Sequence, residues 1–171
     1  MKKFPFLNLK QANSQHISEI KDAVCKVIDS GIYLHGEETA TLENEIANLC
    51  QTKFCVALSN GLDALRLIIR AYKEEGIFCD GDEIIVSANT YIASLLAISD
   101  NGLIPRLVDM DPITLNINTS KIEEVINART RAIMPVHLYG NPCWDETIIR
   151  LAQDYDLVII EDNAQAIGAK A

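Results

Sequence analysis

Short runs of β-branched and apolar residues alternate along this chain with amphipathic stretches, and that alternation limits the fold more than any other feature. The runs are Phe54–Leu58, Glu83–Ser87, Pro105–Val108, Ala132–Leu138 and Leu157–Ile160. Several are continuously apolar rather than in–out, the pattern of strands covered on both faces. Between them, Leu62 to Tyr72 sets Leu65, Ile68, Ile69 and Tyr72 on one side at helical spacing. Tyr91 to Ser99, Ile122 to Ala128 and Asp145 to Tyr155 are the helices expected after the later strands; Ile17 to Ile28 and Thr41 to Leu49 precede the first. Right-handed crossovers then predict an α/β fold, a mostly parallel sheet with helices on both faces. Gly81-Asp82 and Gly102 mark turns into strands. Residues 1–36 are expected to form an N-terminal arm, one helix followed by the irregular segment Gly31–Gly36, and residues 37–171 the sheet domain.

Composition removes several function classes. With 49% apolar residues in 171, the chain can offset the entropy of ordering, so disorder is excluded. Lys+Arg 15 against Asp+Glu 24 gives a net charge of −9, which argues against nucleic-acid binding through a basic face. No apolar run approaches the ~20 residues of a membrane helix, so no membrane partner is expected. The opening Met1-Lys2-Lys3-Phe4-Pro5-Phe6 imitates a signal n-region, but Pro5, Asn8 and Lys10 interrupt it, and it reads as mature protein. Five cysteines (Cys25, Cys50, Cys55, Cys79, Cys143) include no Cys-x-x-Cys pair, so neither a metal site nor a disulfide framework is expected, and a reducing cytoplasm is the plain reading. Asn118-Thr119-Ser120 matches a glycosylation sequon, whereas Ser120 with Glu123 matches a capping box, the preferred reading.

In an open parallel sheet, ligands bind at the carboxyl ends of the strands. There the sequence places Ser59-Asn60-Gly61-Leu62-Asp63, Ala88-Asn89-Thr90-Tyr91, Asp109-Met110-Asp111, His137-Leu138-Tyr139-Gly140 and Glu161-Asp162-Asn163-Ala164-Gln165. At Asn60-Gly61, a glycine for a tight turn and the first amides of a helix would make a phosphate cradle. An ordinary turn, with Asp63 as an acid in the first helical turn, is the alternative. Asp162 ends an apolar strand, where a carboxylate is costly without a cation or several donors. It is either a helix cap or an anion held for a protonated heterocycle. Tyr91 is either a core residue or a ring lying on a bound aromatic cofactor. His137 is read as a hydrogen-bonded strand-end residue before a catalyst, and Tyr33 and His35 as loop residues or ligand contacts.

Six motifs in this order resemble the DegT/DnrJ/EryC1/StrS family of sugar aminotransferases, pyridoxal-phosphate enzymes of the aspartate-aminotransferase fold (fold type I). They are Gly31-Ile32-Tyr33 with Gly36, Ser59–Leu65, Gly81–Ile85, Asn89–Ser94, Val136–Gly140 and Glu161–Ala169. The resemblance implies that Gly61, Leu62 and Asp63 hold the cofactor phosphate, Tyr91 stacks on the pyridine ring, Asp162 pairs with its nitrogen, and Gln165 sits near its phenolic oxygen. Tyr33 and His35 would approach a nucleotide-sugar substrate. Most members have Thr where this chain has Leu62. That variant, with Asn89–Ser94 and the Leu96-to-Gly102 run, looks like the branch that aminates 3-keto-6-deoxyhexoses on dTDP with glutamate as donor. A homodimer is also implied.

The family's cofactor-bearing lysine is expected in a segment beyond Ala171, and Lys170 is rejected as its substitute. The chain is therefore expected to be the N-terminal part of the large domain, inactive alone, with the strand Phe54–Leu58 lacking its partner. Two alternatives are a PMP-dependent sugar dehydratase on the same fold and a truncated pseudoenzyme or assembly partner.

Overall fold

The computed structural model describes residues 5–170. By its internal contacts the chain divides into two compact units, Met1–Ala57 and Leu58–Ala171.

The first unit carries α1 (Leu9–Asn13), α2 (Ile17–Ser30) and α3 (Glu37–Leu49). Gly31, at φ 65°, ends α2 in the left-handed conformation that glycine adopts without a Cβ penalty. The helix presents Ile17, Ile20, Val24 and Ile28 on an exposed face. The Ala57 amide donates to the Glu43 carboxylate at 2.8 Å.

The second unit is built as the alternation predicts. It contains α4 (Gly61–Glu74), β1 (Glu83–Ser87), α5 (Ile92–Ser99), β2 (Ile104–Val108), α6 (Ile122–Val125), β3 (Thr130–Met134), α7 (Glu146–Asp154) and β4 (Val158–Ile159). The strands form one sheet in the order β2-β1-β3-β4, every pairing parallel. Successive side chains on a strand point to opposite faces. Ile84, Val86, Ala132 and Met134 accordingly join one core with Leu65 and Ile69 of α4 and Ile98 of α5. Ile85 and Ile133 join the other, with Ile122 of α6 and Ile148 and Leu151 of α7. Each fully buried aliphatic chain contributes about 1.5–3 kcal/mol, so β1, buried along its whole length, is the centre of stability.

Polar side chains fix the helix starts. Asn60 accepts from the Asp63 amide at 2.9 Å and Asp145 accepts from the Thr147 amide, each satisfying one of the free donors of a first turn. Gly81 (φ 82°) and Gly102 (φ 77°) take left-handed turns before β1 and β2, as their positions in the sequence predict.

Four expectations need correction. Phe54–Leu58 is not a strand: it lacks a partner among the described residues, as expected, but without one it does not hold strand geometry, and Phe54 and Val56 are 74% and 73% exposed. The arm expected to hold one helix holds two, α1 and α2, and β2 is an edge strand with Ile104 and Leu107 partly exposed. The run Ala132–Leu138 stops as a strand at Met134, continues through one bridge between Val136 and Asp162, and turns into a 3-10 segment at Leu138–Gly140. Ser120 makes no capping box; the Asn118 side-chain Oδ1 accepts from its amide and its hydroxyl, and caps the 3-10 turn Thr119–Lys121 instead.

Candidate active site

A cavity of about 420 Å³ opens at the carboxyl ends of the strands, lined by residues that the sequence scatters over four segments. Asn60, Gly61 and Leu62 come from the start of α4, Tyr91 from the cap of α5, Val136 from beyond β3, and Asp162 and Gln165 from beyond β4. Its walls are largely aliphatic, with Leu65, Leu96 and Leu138 among them.

The α4 end turns free main-chain amides to the rim of the cavity. The Asn60 side chain takes up the Asp63 amide, while those of Gly61 and Leu62 bond to nothing among the described residues. Gly61 is not where the chain needs a left-handed turn, contrary to the expected reason for a glycine here. A Cβ placed on it would meet no atom within 4 Å and would stand in open space. Neither backbone strain nor crowding inside the chain calls for glycine, whereas close approach of a ligand to the amide does. Asp63 is turned away from the cavity. Its carboxylate accepts from the Ser59 hydroxyl, the Arg66 guanidinium and the Asn60 amide, and these bonds hold its pKa below the ordinary aspartate value. Arg66 bonds Asp100 as well, clamping the start of α4 to the end of α5.

Asp162 lies on the far side of the lining, only 9% exposed. Its main chain is fixed on both sides: the amide donates to Pro135 O at 2.9 Å, and the carbonyl accepts from the His137 amide at 3.1 Å. One carboxylate oxygen accepts from the Ser94 hydroxyl at 2.8 Å and the other from the Ala164 amide at 3.2 Å. No lysine, arginine or histidine among the described residues forms an ion pair with it. A nearly buried carboxylate bordering an apolar cavity without a cation calls for one from the ligand.

Tyr91 stands at the mouth, 71% exposed, at the N-cap of α5. The Gln165 side-chain oxygen accepts from the Tyr139 amide at 2.7 Å, leaving its amide nitrogen as the group free to donate. Tyr139 reaches this position with φ 58°, a conformation uncommon for a bulky residue.

His137 lies outside this cavity, as the hydrogen-bonded strand-end reading expects. Its Nδ1 accepts from the Cys143 amide at 3.0 Å and its Nε2 stands 3.7 Å from Glu161. Burial pushes the Cys143 thiol up to about 11. Tyr33 and His35 belong to the first unit, where Tyr33 lines a separate hollow of about 380 Å³ with Lys26, Ser30 and Gly36. His35 has φ 51°.

Sequence reasoning did not single out Ser94 as a site residue, reading it only as part of a helix and as the last residue of the Asn89–Ser94 motif. Its spacing after Tyr91 was the available signal: one helical turn behind a cap residue, on the side that faces the sheet.

The family model for the DegT/DnrJ/EryC1/StrS aminotransferase family matches residues 14–171. The chain is 52% identical to dTDP-3-amino-3,6-dideoxy-alpha-D-galactopyranose transaminase of Aneurinibacillus thermoaerophilus over 96% of its own length and 44% of that relative's. Among solved structures, Streptomyces venezuelae DesV in complex with a ketimine intermediate superimposes with a TM-score of 0.90 at 41% identity, over 98% of this chain and 44% of that one. E. coli GDP-4-keto-6-deoxy-D-mannose-3-dehydratase with bound hydrated PLP does so with a TM-score of 0.82 at 32% identity, over 88% and 39%. The chain thus spans less than half the length of the proteins it matches. On the family model and these identities, the chain belongs to the DegT/DnrJ/EryC1/StrS aminotransferase family.

Proposed function

We propose that the chain is the cofactor-binding part of a pyridoxal-phosphate-dependent aminotransferase that transfers an amino group, with glutamate as donor, to a keto-deoxysugar nucleotide. A dTDP-3-keto-6-deoxyhexose is the favoured substrate class, in deoxyaminosugar biosynthesis. The observation that carries this reading is Asp162: a nearly buried carboxylate without a cationic partner among the described residues, in one cavity with free helix-start amides. A ligand that satisfies both ends has a protonated ring nitrogen and an anionic group, and pyridoxal phosphate has both. The 52%-identical relative and the 42%-identical dTDP-3-amino-3,4,6-trideoxy-alpha-D-glucose transaminase of Streptomyces venezuelae support the substrate class.

Bound pyridoxal phosphate supplies an electron sink for the carbanion formed when an amino acid loses its α-proton. The chain's own residues do the rest. Gly61 and Leu62 offer main-chain amides to the phosphate, with the dipole of α4 behind them. Asp63 acts there indirectly, by ordering Ser59, Asn60 and Arg66 around the rim. Asp162 holds the proton on the ring nitrogen. Tyr91 covers one face of the ring, and Gln165 donates to its phenolic oxygen. Leu65, Leu96, Val136 and Leu138 keep water from the Asp162 contact, which strengthens it. Tyr33 and His35 are assigned to the nucleotide sugar. Lys170, exposed and close after Asp162 in the chain, is not assigned the covalent bond to the cofactor.

The test is titration with pyridoxal phosphate followed by absorbance. Saturable binding that Asp162→Asn weakens is expected. Absence of binding, or binding indifferent to Asp162→Asn, overturns the reading. A sugar dehydratase is the second reading, favoured by the 32%-identical dehydratase superposition. The products distinguish the two: an amino sugar in one case, a deoxy sugar with no new amine in the other. Homodimerisation and a cytoplasmic location are proposed from the family resemblance, and no described helix is long and apolar enough to cross a membrane.

A further inference from the structure

Ser94 is completely buried in the first turn of α5, yet it carries a hydroxyl where alanine would pack as well. A buried hydroxyl is costly unless it is bonded. This one bonds a carboxylate distant in sequence, donating to Asp162 at 2.8 Å. A hydroxyl has a single proton. With that proton given to Asp162, the 2.8 Å contact between the Thr90 and Ser94 hydroxyls has one direction left, with Thr90 the donor. The result is an ordered chain, Thr90 to Ser94 to Asp162, joining the start of α5 to the segment beyond β4. The Ser94 amide also donates to the Tyr91 carbonyl at 3.2 Å. Ser94 is therefore bonded to two of the three residues assigned to the cofactor ring, the one on its face and the one at its nitrogen.

We propose that Ser94 is a positioning residue: backed by Thr90, its hydroxyl fixes the rotation of the Asp162 carboxylate so that an oxygen lone pair stays aimed at the ring nitrogen of the bound cofactor. The inference rests on the cofactor assignment above and goes beyond it by naming what holds Asp162 in place. Ala164, which bonds the other oxygen through its amide, cannot restrict this rotation alone, because Ala164 follows Asp162 closely and moves with it.

The experiment titrates the chain and its variants with pyridoxal phosphate labelled at the ring nitrogen. It reads both affinity and the nitrogen resonance, which reports whether the ring is protonated. Ser94→Ala is expected to bind about tenfold more weakly, the loss usual for one hydrogen bond to a charged group, with the resonance moved toward the unprotonated ring. Ser94→Thr, which keeps the hydroxyl, restores both readings. Thr90→Val moves both in the direction of Ser94→Ala by less. If Ser94→Ala fails to fold by circular dichroism, Thr90→Val carries the test with the same two readings. Wild-type affinity and resonance in Ser94→Ala, with binding lost in Asp162→Asn, overturn the role of Ser94 and leave the cofactor assignment standing. No binding by the wild type, or none of it dependent on Asp162, removes the cofactor assignment and this inference with it.

Discussion

Gly61 separates folding from binding at a single Cα. It begins α4 with no left-handed turn, and a Cβ on it would touch nothing within 4 Å. Gly61→Ala should raise folding stability by about 0.5–1 kcal/mol, because alanine loses less backbone entropy in a helix. The same methyl stands where the phosphate approaches the amide, so affinity for pyridoxal phosphate should fall. Urea unfolding read beside cofactor titration checks the two opposite signs; a glycine kept only for the fold would lose stability instead. Asp162→Asn should show the complementary split, with binding weakened at least tenfold by loss of the charged contact while far-ultraviolet circular dichroism stays unchanged. Lys170→Ala should leave cofactor affinity and absorbance unchanged, and a lost absorbance band would return Lys170 to the site. Asp162 was legible in the sequence because it follows an apolar strand, and Gly61 because it joins an apolar run to the start of a helix. Asp63 was legible too, but only the folded chain shows its carboxylate bonded to Ser59 and Arg66 rather than to the cavity.

Helix starts here depend on side chains that can titrate. Asp145 caps α7, and the bonds from Thr147 hold its carboxyl below the ordinary value; those from Thr114 and Ile113 do the same for Asp111 in its turn. A carboxyl whose folded pKa is depressed stabilises the fold above its unfolded value, near 3.8, and the contribution is lost as pH falls through the folded value. The urea midpoint should therefore decline below about pH 4, and Asp145→Asn should flatten part of that decline. Asn60→Ala removes a cap that does not titrate and should cost about 1 kcal/mol at every pH. Strand identity at this scale was legible only where burial and pairing coincide. Glu83–Ser87 is a strand because neighbours flank it on both sides. Phe54–Leu58 is apolar throughout yet has no ladder among the described residues, since a strand is a relation between two segments.

Protection of the buried thiol follows from the second unit as a whole. Burial lifts the Cys143 thiol to about 11 from its ordinary value of 9.0. A folded pKa raised above the unfolded one gives stability that is complete below the unfolded value and is lost as pH rises through about 11. Cys143 should resist alkylation near neutral pH until the unit unfolds, whereas the exposed Cys25, Cys50 and Cys79 react at once. Mass spectrometry of the native and the urea-treated chain checks the order; early labelling of Cys143 would mean that the segment between Val136 and Cys143 opens locally.

The sequence by itself determined the parallel α/β class, the order of its elements and the strand-end residues that make up the site. Periodicity, turn residues and strand-end position are local properties that side-chain chemistry imposes within a few residues. Only the tertiary structure decided the strand order β2-β1-β3-β4, which left β2 at an edge, and the meeting of Ser94 with Asp162. Both depend on segments far apart in the chain reaching one another. That approach is governed by how two apolar faces of one sheet are covered, which no local pattern specifies.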